Sequence, residues 1–325
     1  MEDAGGIIVI DKPQGMTSHD VVSFLRRKTG VKRIGHSGTL DPMATGVLPV
    51  YIGKATRLIE YAGRPDDEEA KIYRCTMKLG LETDTQDIWG APLSDEAALP
   101  ARGDGNAKDK WPGAAEIEQV LKGFEGEGAQ RPPMYSAVKV GGRKLYEYAR
   151  KGVEIDESLI KPRRIYIKHI CVKDMNETEG SVSFDVHCSK GVYIRTLCVD
   201  AGRLLGCGAV MSGLIRLKSD GFGIDDAIPL DSIRDEGTSL VLAPLDTPVQ
   251  WLPRVDLPVE KTRKFCQGQV ITTFASETGA FEAGYQSGLD HGALVRVYTG
   301  GAFVGIGRIS ENALLTPEKV IEINF

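Results

Sequence analysis

The sequence predicts a mixed α+β catalytic domain followed by a small β-rich module, and three observations carry that prediction. Strand-like and helix-like runs alternate irregularly, without the regular repeat of a parallel βαβ fold. Two long alternating segments, RRIYIKHICVKD and SVSFDVHCSK, follow one another in mid-chain and read as strands. Near WLPRVDLPVE the composition breaks into prolines. Short β-runs such as ALVRVYT and AFVGIGRIS follow, separated by glycines, so the expected division is 1–251 and 252–325.

Taken in order, GIIVID reads as a buried strand. KPQGMTS is then a loop whose Ser18 is expected to cap a helix through HDVVSFLRRK, ending at Gly30. The segment VKRIGHSGTLDPMATGVLP is too punctuated by glycine and proline for a regular element. Its apolar residues Leu40, Met43, Val47 and Leu48 nevertheless suggest a loop held against the core, the usual setting for chemistry. VYIG reads as a strand end, ATRLIEYA as a helix, and KIYRCTMKLG as an alternating strand with Tyr73, Cys75 and Met77 on one face. Residues 91–113, rich in Ala, Gly, Pro and charge, read as a mobile surface insertion. AEIEQVLKGF is a short helix. After a Pro-rich loop at 131–133 come a strand and a helix near KLYEYARK. GVYIRTLCVDAGRLLG shows helical spacing of Ile194, Leu197, Cys198, Ala201, Leu204 and Leu205.

With 325 residues, 42% hydrophobic and 26% charged, the chain can build one sizeable core with an appendage. The start, MEDAGGIIVIDKP, is acidic with only a short apolar run, which predicts neither a signal peptide nor a membrane span and points to the cytoplasm. Six cysteines lie apart without a C-x-x-C pair and read as reduced thiols. His residues show no metal-ligand spacing, and neither a metal nor a cofactor is expected.

A net charge of -5 speaks mildly against a nucleic-acid partner, but the average hides an asymmetry. Residues 82–127 hold 11 acids against 4 bases, whereas residues 131–173 hold 11 bases against 4 acids. A phosphate backbone responds to the local value.

Asp41 before Pro42 would by itself be an ordinary turn residue. Its surroundings change that reading. GHSGTLDPMATGVLPV resembles closely the signature of TruB-type pseudouridine synthases, in which the Asp of the G-x-L-D-P core is catalytic. Four further segments occur in that family's order: VIDKPQGMTSHDVV, IYRCTMKLGLETDTQD, RPPMYSAVKVGGRKLYEYAR and SKGVYIRTLCVDAG. The resemblance spans residues 7 to about 250. More loosely, the tail from 252 resembles a PUA domain, a small β-rich RNA-binding module, through KTRKFCQGQVI and FVGIGRI.

The resemblance implies an isomerase that converts uridine 55 of the tRNA T loop to pseudouridine, alone and without guide RNA, acting as a monomer. The chemistry detaches uracil from ribose, turns it and rejoins it through C5, with no redox change, so a carboxylate acting at the sugar suffices. Asp41 is the implied carboxylate, and attack on ribose and assistance to elimination remain equally open. Arg195 is implied as its cationic partner, and Tyr73 as the ring that stacks on the extruded base and as a candidate to take the C5 proton. His36 is implied as an RNA contact near that base, and Tyr193 as a pocket wall. Lys12 and Asp84 are expected as loop organisers that face RNA. Arg143 and Lys144, within a loop at 131–150 folded over the T arm, are expected to contact phosphate. Two rivals are a guide-dependent synthase and an RNA-binding or tRNA-folding chaperone in which chemistry is secondary or lost.

Overall fold

The computed structural model describes residues 5–64, 67, 70–93, 111–235, 240–271, 291–310 and 314–321. The expected insertion at 91–113 and the stretch ASETGAFEAGYQSGLDH lie largely outside them. The chain begins with β1 (Gly6–Lys12), α1 (Ser18–Thr29), β2 (Ile34–His36), β3 (Thr45–Ile52), a 3-10 helix (Gly53–Tyr61) and β4 (Lys71–Leu79). Next come α2 (Ala114–Lys122), β5 (Gly126–Gln130), β6 (Lys139–Val140), β7 (Arg143–Lys144) and α3 (Leu145–Ala149). They are followed by β8 (Arg163–Asn176), β9 (Ser181–Cys188) and α4 (Ile194–Leu204). Then follow β10 (Ala209–Ser219), β11 (Phe222–Gly223), β12 (Ile228–Pro229), β13 (Arg254–Asp256) and α5 (Val259–Cys266). β14 (Leu294–Thr299), β15 (Ala302–Ser310) and β16 (Leu314–Val320) close the order. No described helix is long and apolar enough to cross a membrane.

The chain divides into two compact units. One comprises Met1–Asp41, Val47–Arg64 and Ser219–Phe325, the other Pro42–Gly46 and Pro65–Lys218.

In the first unit, β1 is buried along its length, with Ile7, Ile8, Val9 and Ile10 all 3% exposed or less, as its unbroken apolar run requires. The cap of α1 is Thr17 rather than the expected Ser18. Thr17 Oγ1 accepts from Asp20 N at 3.1 Å while Asp20 Oδ2 accepts from Thr17 N at 2.8 Å, a reciprocal capping box. Gly30 ends the helix in the left-handed region, φ 72°, as expected. The glycine-punctuated segment that followed was expected to be irregular. Instead β2 and β3 pair antiparallel, Ile34 with Ile52 and His36 with Val50, and residues 37–44 are their connection. Local propensity misses this because the strand register is set by Tyr51 and Val50, both fully buried.

This unit also holds a four-stranded sheet in the order β13-β14-β15-β16, parallel at its first pair and antiparallel thereafter. KTRKFC, expected among β-runs, is part of helix α5, whose Phe265 and Thr262 are fully buried. Its apolar residues fall at helical rather than alternating spacing, and Phe265 packs with Val255, Val297 and Leu315.

In the second unit β10, β4, β9, β8 and β5 are neighbours in that order. β4 pairs antiparallel with β9, Tyr73 opposite Val186, and β9 pairs antiparallel with β8, so the two alternating segments expected as strands lie side by side. Cys75, Met77, Phe184 and Val186 are fully buried and build the core side of these strands. Mixed α+β architecture with a β-rich C-terminal portion is what the irregular alternation predicted.

Candidate active site

Asp41 is half-buried and lies between apolar anchors: Leu40, Met43 and Ala44 are 3%, 2% and 0% exposed. Leu40 is fixed by more than packing. Ser18, relieved of capping, accepts from Leu40 N at 2.8 Å and donates to Leu40 O at 3.2 Å, so one hydroxyl clamps both main-chain groups of the residue before Asp41. Downstream, Thr45 and Gly46 pair in parallel with Ile215 and Arg216 of β10. Gly46 has φ 95°, and a Cβ there would lie 2.3 Å from Arg216 O, so the close approach requires glycine. His36 is the last residue of β2, half-buried and opposite Val50.

Tyr73 is half-buried on β4. Its neighbour Arg74 makes a bidentate pair with Asp185 of β9, at 2.9 and 3.0 Å, and Lys173 approaches the same carboxylate at 3.5 Å. Burial raises the Asp185 carboxyl, but the hydrogen bonds and charge of Arg74, then of Lys173, outweigh it and hold the group below its ordinary value.

Arg195, in the first turn of α4, is 5% exposed, a position a guanidinium tolerates only when its donors are satisfied. Nη1 donates to Thr85 O at 3.0 Å and Nη2 to Tyr135 O at 2.8 Å, which fixes the plane of the group. Tyr193 caps the same helix. Its N–H donates to Gln130 Oε1 at 2.9 Å and its carbonyl accepts from Gln130 Nε2 at 3.3 Å, so Gln130 holds Tyr193 as a neighbouring strand would. Cys75 on β4 touches Cys198 on α4. Cys75 shares a strand face with Tyr73 and Cys198 a helix face with Arg195, so these two candidates stand on elements packed against each other.

Lys12 is fully buried, with Nζ donating to Pro13 O at 2.9 Å and to Met16 O at 2.6 Å. These two bonds tie the Nζ of Lys12 to the loop that follows β1. Asp84 is exposed, and its Oδ1 accepts from Ala91 N at 2.8 Å, closing the loop after β4.

Arg143 and Lys144 form β7, paired with β6 across a turn in which Gly141 and Gly142 have φ 58° and 82°. Lys139 stands directly opposite Lys144, a like-charge pairing that an anion would relieve. Lys144 and Arg150 flank the Tyr146 ring at 5.4 and 5.3 Å from its centroid. Among the described residues no cluster of His, Cys, Asp or Glu could hold a metal.

The carbonyl anchors of Arg195 and the roles of Gln130, Ser18 and Asp185 were not found from sequence. Only Asp185 left a signal there, as an acid on an alternating strand.

Comparison with known families decides what such a site belongs to. The N-terminal domain of TruB family pseudouridylate synthases matches residues 26–194, more than half of the chain. Two further matches, the tRNA pseudouridylate synthase B C-terminal domain over 195–261 and the pseudouridine synthase II TruB C-terminal domain over 253–321, extend the coverage to residue 321. The chain belongs to the TruB family of pseudouridine synthases. Its relatives include a tRNA pseudouridine synthase B of Aromatoleum aromaticum, 36% identical over 97% of this chain and 92% of that protein. Another, from Clostridium kluyveri, is 40% identical over 93% of this chain and 94% of its own. A chain of a Cbf5-Nop10-Gar1 complex has 27% identity and a TM-score of 0.70, covering 99% of this chain and 86% of that one. Family membership makes the protein an isomerase, and the segments that carried the resemblance coincide with the elements just described. Those are the connection around Asp41, the strand of Tyr73 and the N-terminus of α4.

Proposed function

We propose that the protein isomerises uridine 55 in the T loop of tRNA, with Asp41 as its catalytic carboxylate. The supporting observation is the G-T-L-D-P connection, clamped by Ser18 and flanked by buried Leu40, Met43 and Ala44. Such a rigid, partly dry setting is what a carboxylate acting on an electron-poor sugar carbon requires. The target base is flipped out of the RNA stack at a cost of a few kcal/mol. Tyr73 stacks on it and His36 contacts the RNA beside it. Asp41 either attacks the ribose as the bond to N1 breaks, or assists elimination, in which a sugar proton is removed as N1 leaves. Uracil turns, C5 bonds to the sugar as Asp41 is released or the sugar proton is returned, and a base, for which Tyr73 is the candidate, takes the C5 proton.

In this reading Arg195 keeps the Asp41 carboxylate ionised and oriented, and Tyr193 lines the pocket. Arg143 and Lys144 contact phosphates of the T arm, while Asp84 shapes the loop above. Residues 1–251 act as the catalytic domain and 252–325 as a PUA-like RNA-binding module. The protein works as a cytoplasmic monomer without guide RNA. Support for the standalone reading comes from relatives named tRNA pseudouridine synthase B, at 36% to 46% identity, against 27% for the Cbf5 complex.

The test is tritium release from C5-labelled uridine in an unmodified tRNA transcript, with no metal or nucleotide added. Near-stoichiometric release mapped to the T loop, and a loss of about a thousandfold or more in Asp41→Asn with binding retained, is expected. RNA binding without release by the wild type would favour the chaperone or guide-dependent alternatives.

A further inference from the structure

Gln86 occupies a conformation its side chain does not favour. At φ 65° it is, with Asp220, one of two described non-glycine residues in the left-handed region. The turn is over-determined by its surroundings. Gln86 N donates to Thr83 O at 3.2 Å, Met211 N donates to Gln86 O at 3.2 Å, and Ile88 N donates to Met211 O at 2.9 Å. Thr83 Oγ1 donates to Asp87 O at 2.6 Å, and Asp87 Oδ1 accepts from Thr85 Oγ1 at 2.9 Å and Trp89 N at 3.0 Å. Two acceptors of this turn face α4. Thr85 O receives Arg195 Nη1 at 3.0 Å, and Gln86 Oε1 receives Thr196 Oγ1 at 3.1 Å.

Adjacent residues of one turn therefore grip adjacent residues of the helix, one through a carbonyl and one through a side-chain amide. The hydrogen bond from the Thr196 hydroxyl to the Gln86 amide oxygen fixes the turn against a side chain of the helix. The carbonyl then stands at a set place for the guanidinium. We infer that Gln86 is a positioning residue for isomerisation: through Thr196 it fixes the Thr85 carbonyl, and that carbonyl orients Arg195. The inference deepens the reading in which Arg195 holds the catalytic carboxylate, and rests on it.

Glycine is the informative replacement, because it adopts the left-handed region without strain and removes the side chain that carries the amide. Gln86→Gly and Thr196→Val remove the two ends of the same hydrogen bond, while Thr196→Ser keeps the hydroxyl. Steady-state kinetics on the unmodified tRNA transcript are expected to show kcat lowered about tenfold in the first two, the worth of one neutral hydrogen bond. KM should stay within about twofold, and Thr196→Ser should recover most of the rate lost in Thr196→Val. The acid limb of the kcat profile should move to higher pH, because a loosely held guanidinium depresses its partner carboxyl less. The double variant Gln86→Gly/Thr196→Val should lose no more than either single one.

Arg195→Lys, run alongside, separates the two claims. If it keeps wild-type kcat, the role of Arg195 is wrong and the inference falls with it. If it loses kcat while Gln86→Gly and Thr196→Val keep both kcat and the acid limb, only the positioning role of Gln86 is overturned. A lowered melting temperature with unchanged kcat would likewise reduce Gln86 to a structural residue.

Discussion

Cys75 Sγ and Cys198 Sγ lie 3.5 Å apart in the protein interior, where the strand of Tyr73 meets the helix of Arg195. Burial, and then the neighbouring thiol, push Cys75 well above the ordinary thiol range. Burial also lifts Cys188 to about 12.

Thiol chemistry should register this. Cys75, Cys188, Cys198 and Cys207 are fully buried, whereas Cys171 and Cys266 are half-buried and none is in a disulfide. A colorimetric thiol titration of native protein at neutral pH is expected to find two prompt thiols, and six after denaturation. Prompt reaction of four or more would show that the contact between β4 and α4 opens readily.

Gly46→Ala should be costly beyond its size. Its Cβ would meet Arg216 O at 2.3 Å in a backbone conformation unfavourable to alanine. A destabilisation of about 2 kcal/mol or more is expected, together with loss of isomerase activity, since the connection bearing Asp41 must shift. Thermal denaturation and tritium release measure the two effects. Wild-type values in both would mean that the connection is not set by this close approach.

Asp185 supplies a pH-dependent contribution. Its carboxyl is held below the ordinary value in the folded protein, so the stability it adds is present above the unfolded carboxylate pKa and is lost as pH falls through the folded one. Asp185→Asn should therefore be less stable near neutrality, by about 1 kcal/mol given that Arg74 is well exposed. The gap should close in strong acid. A gap constant down to pH 2 would assign the loss to packing.

The β6–β7 hairpin should govern affinity more than turnover. Arg143→Ala and Lys144→Ala are each expected to weaken tRNA binding and to lower the slope of log affinity against log salt by about 0.7 to 0.9. Single-turnover rates at saturating RNA should stay near wild type. Unchanged salt slopes would move the phosphate contacts elsewhere on the basic surface.

Elements whose periodicity matches their burial were legible from sequence. Ile194, Leu197, Cys198, Ala201 and Leu205 are all nearly or fully buried, so α4 could be drawn in advance. Leu204, counted on the same face, is 65% exposed, since it ends the helix where the chain turns through Gly206 and Gly208. Ser18 and Thr17 are both competent caps, and only the fold shows that Ser18 is taken by Leu40. Pairing of β2 with β3 depends on partners found only after folding. The anchors of Arg195 are main-chain carbonyls, which every residue possesses and which therefore leave no trace in a sequence. Asp41 was legible for the opposite reason, since its neighbours form a long specific signature.

Ile7 and Ile321 belong to a single hydrophobic cluster, together with Tyr51, Phe222 and Ile306. Translation makes β1 long before Ile321, and the cluster that shelters it is complete only once Ile321 has emerged from the ribosome. Almost all of the second unit, residues 65–218, is synthesised well before that moment. Along this chain β1 must therefore wait for a partner more than three hundred residues away, while the strands of residues 65–218 find theirs within that stretch.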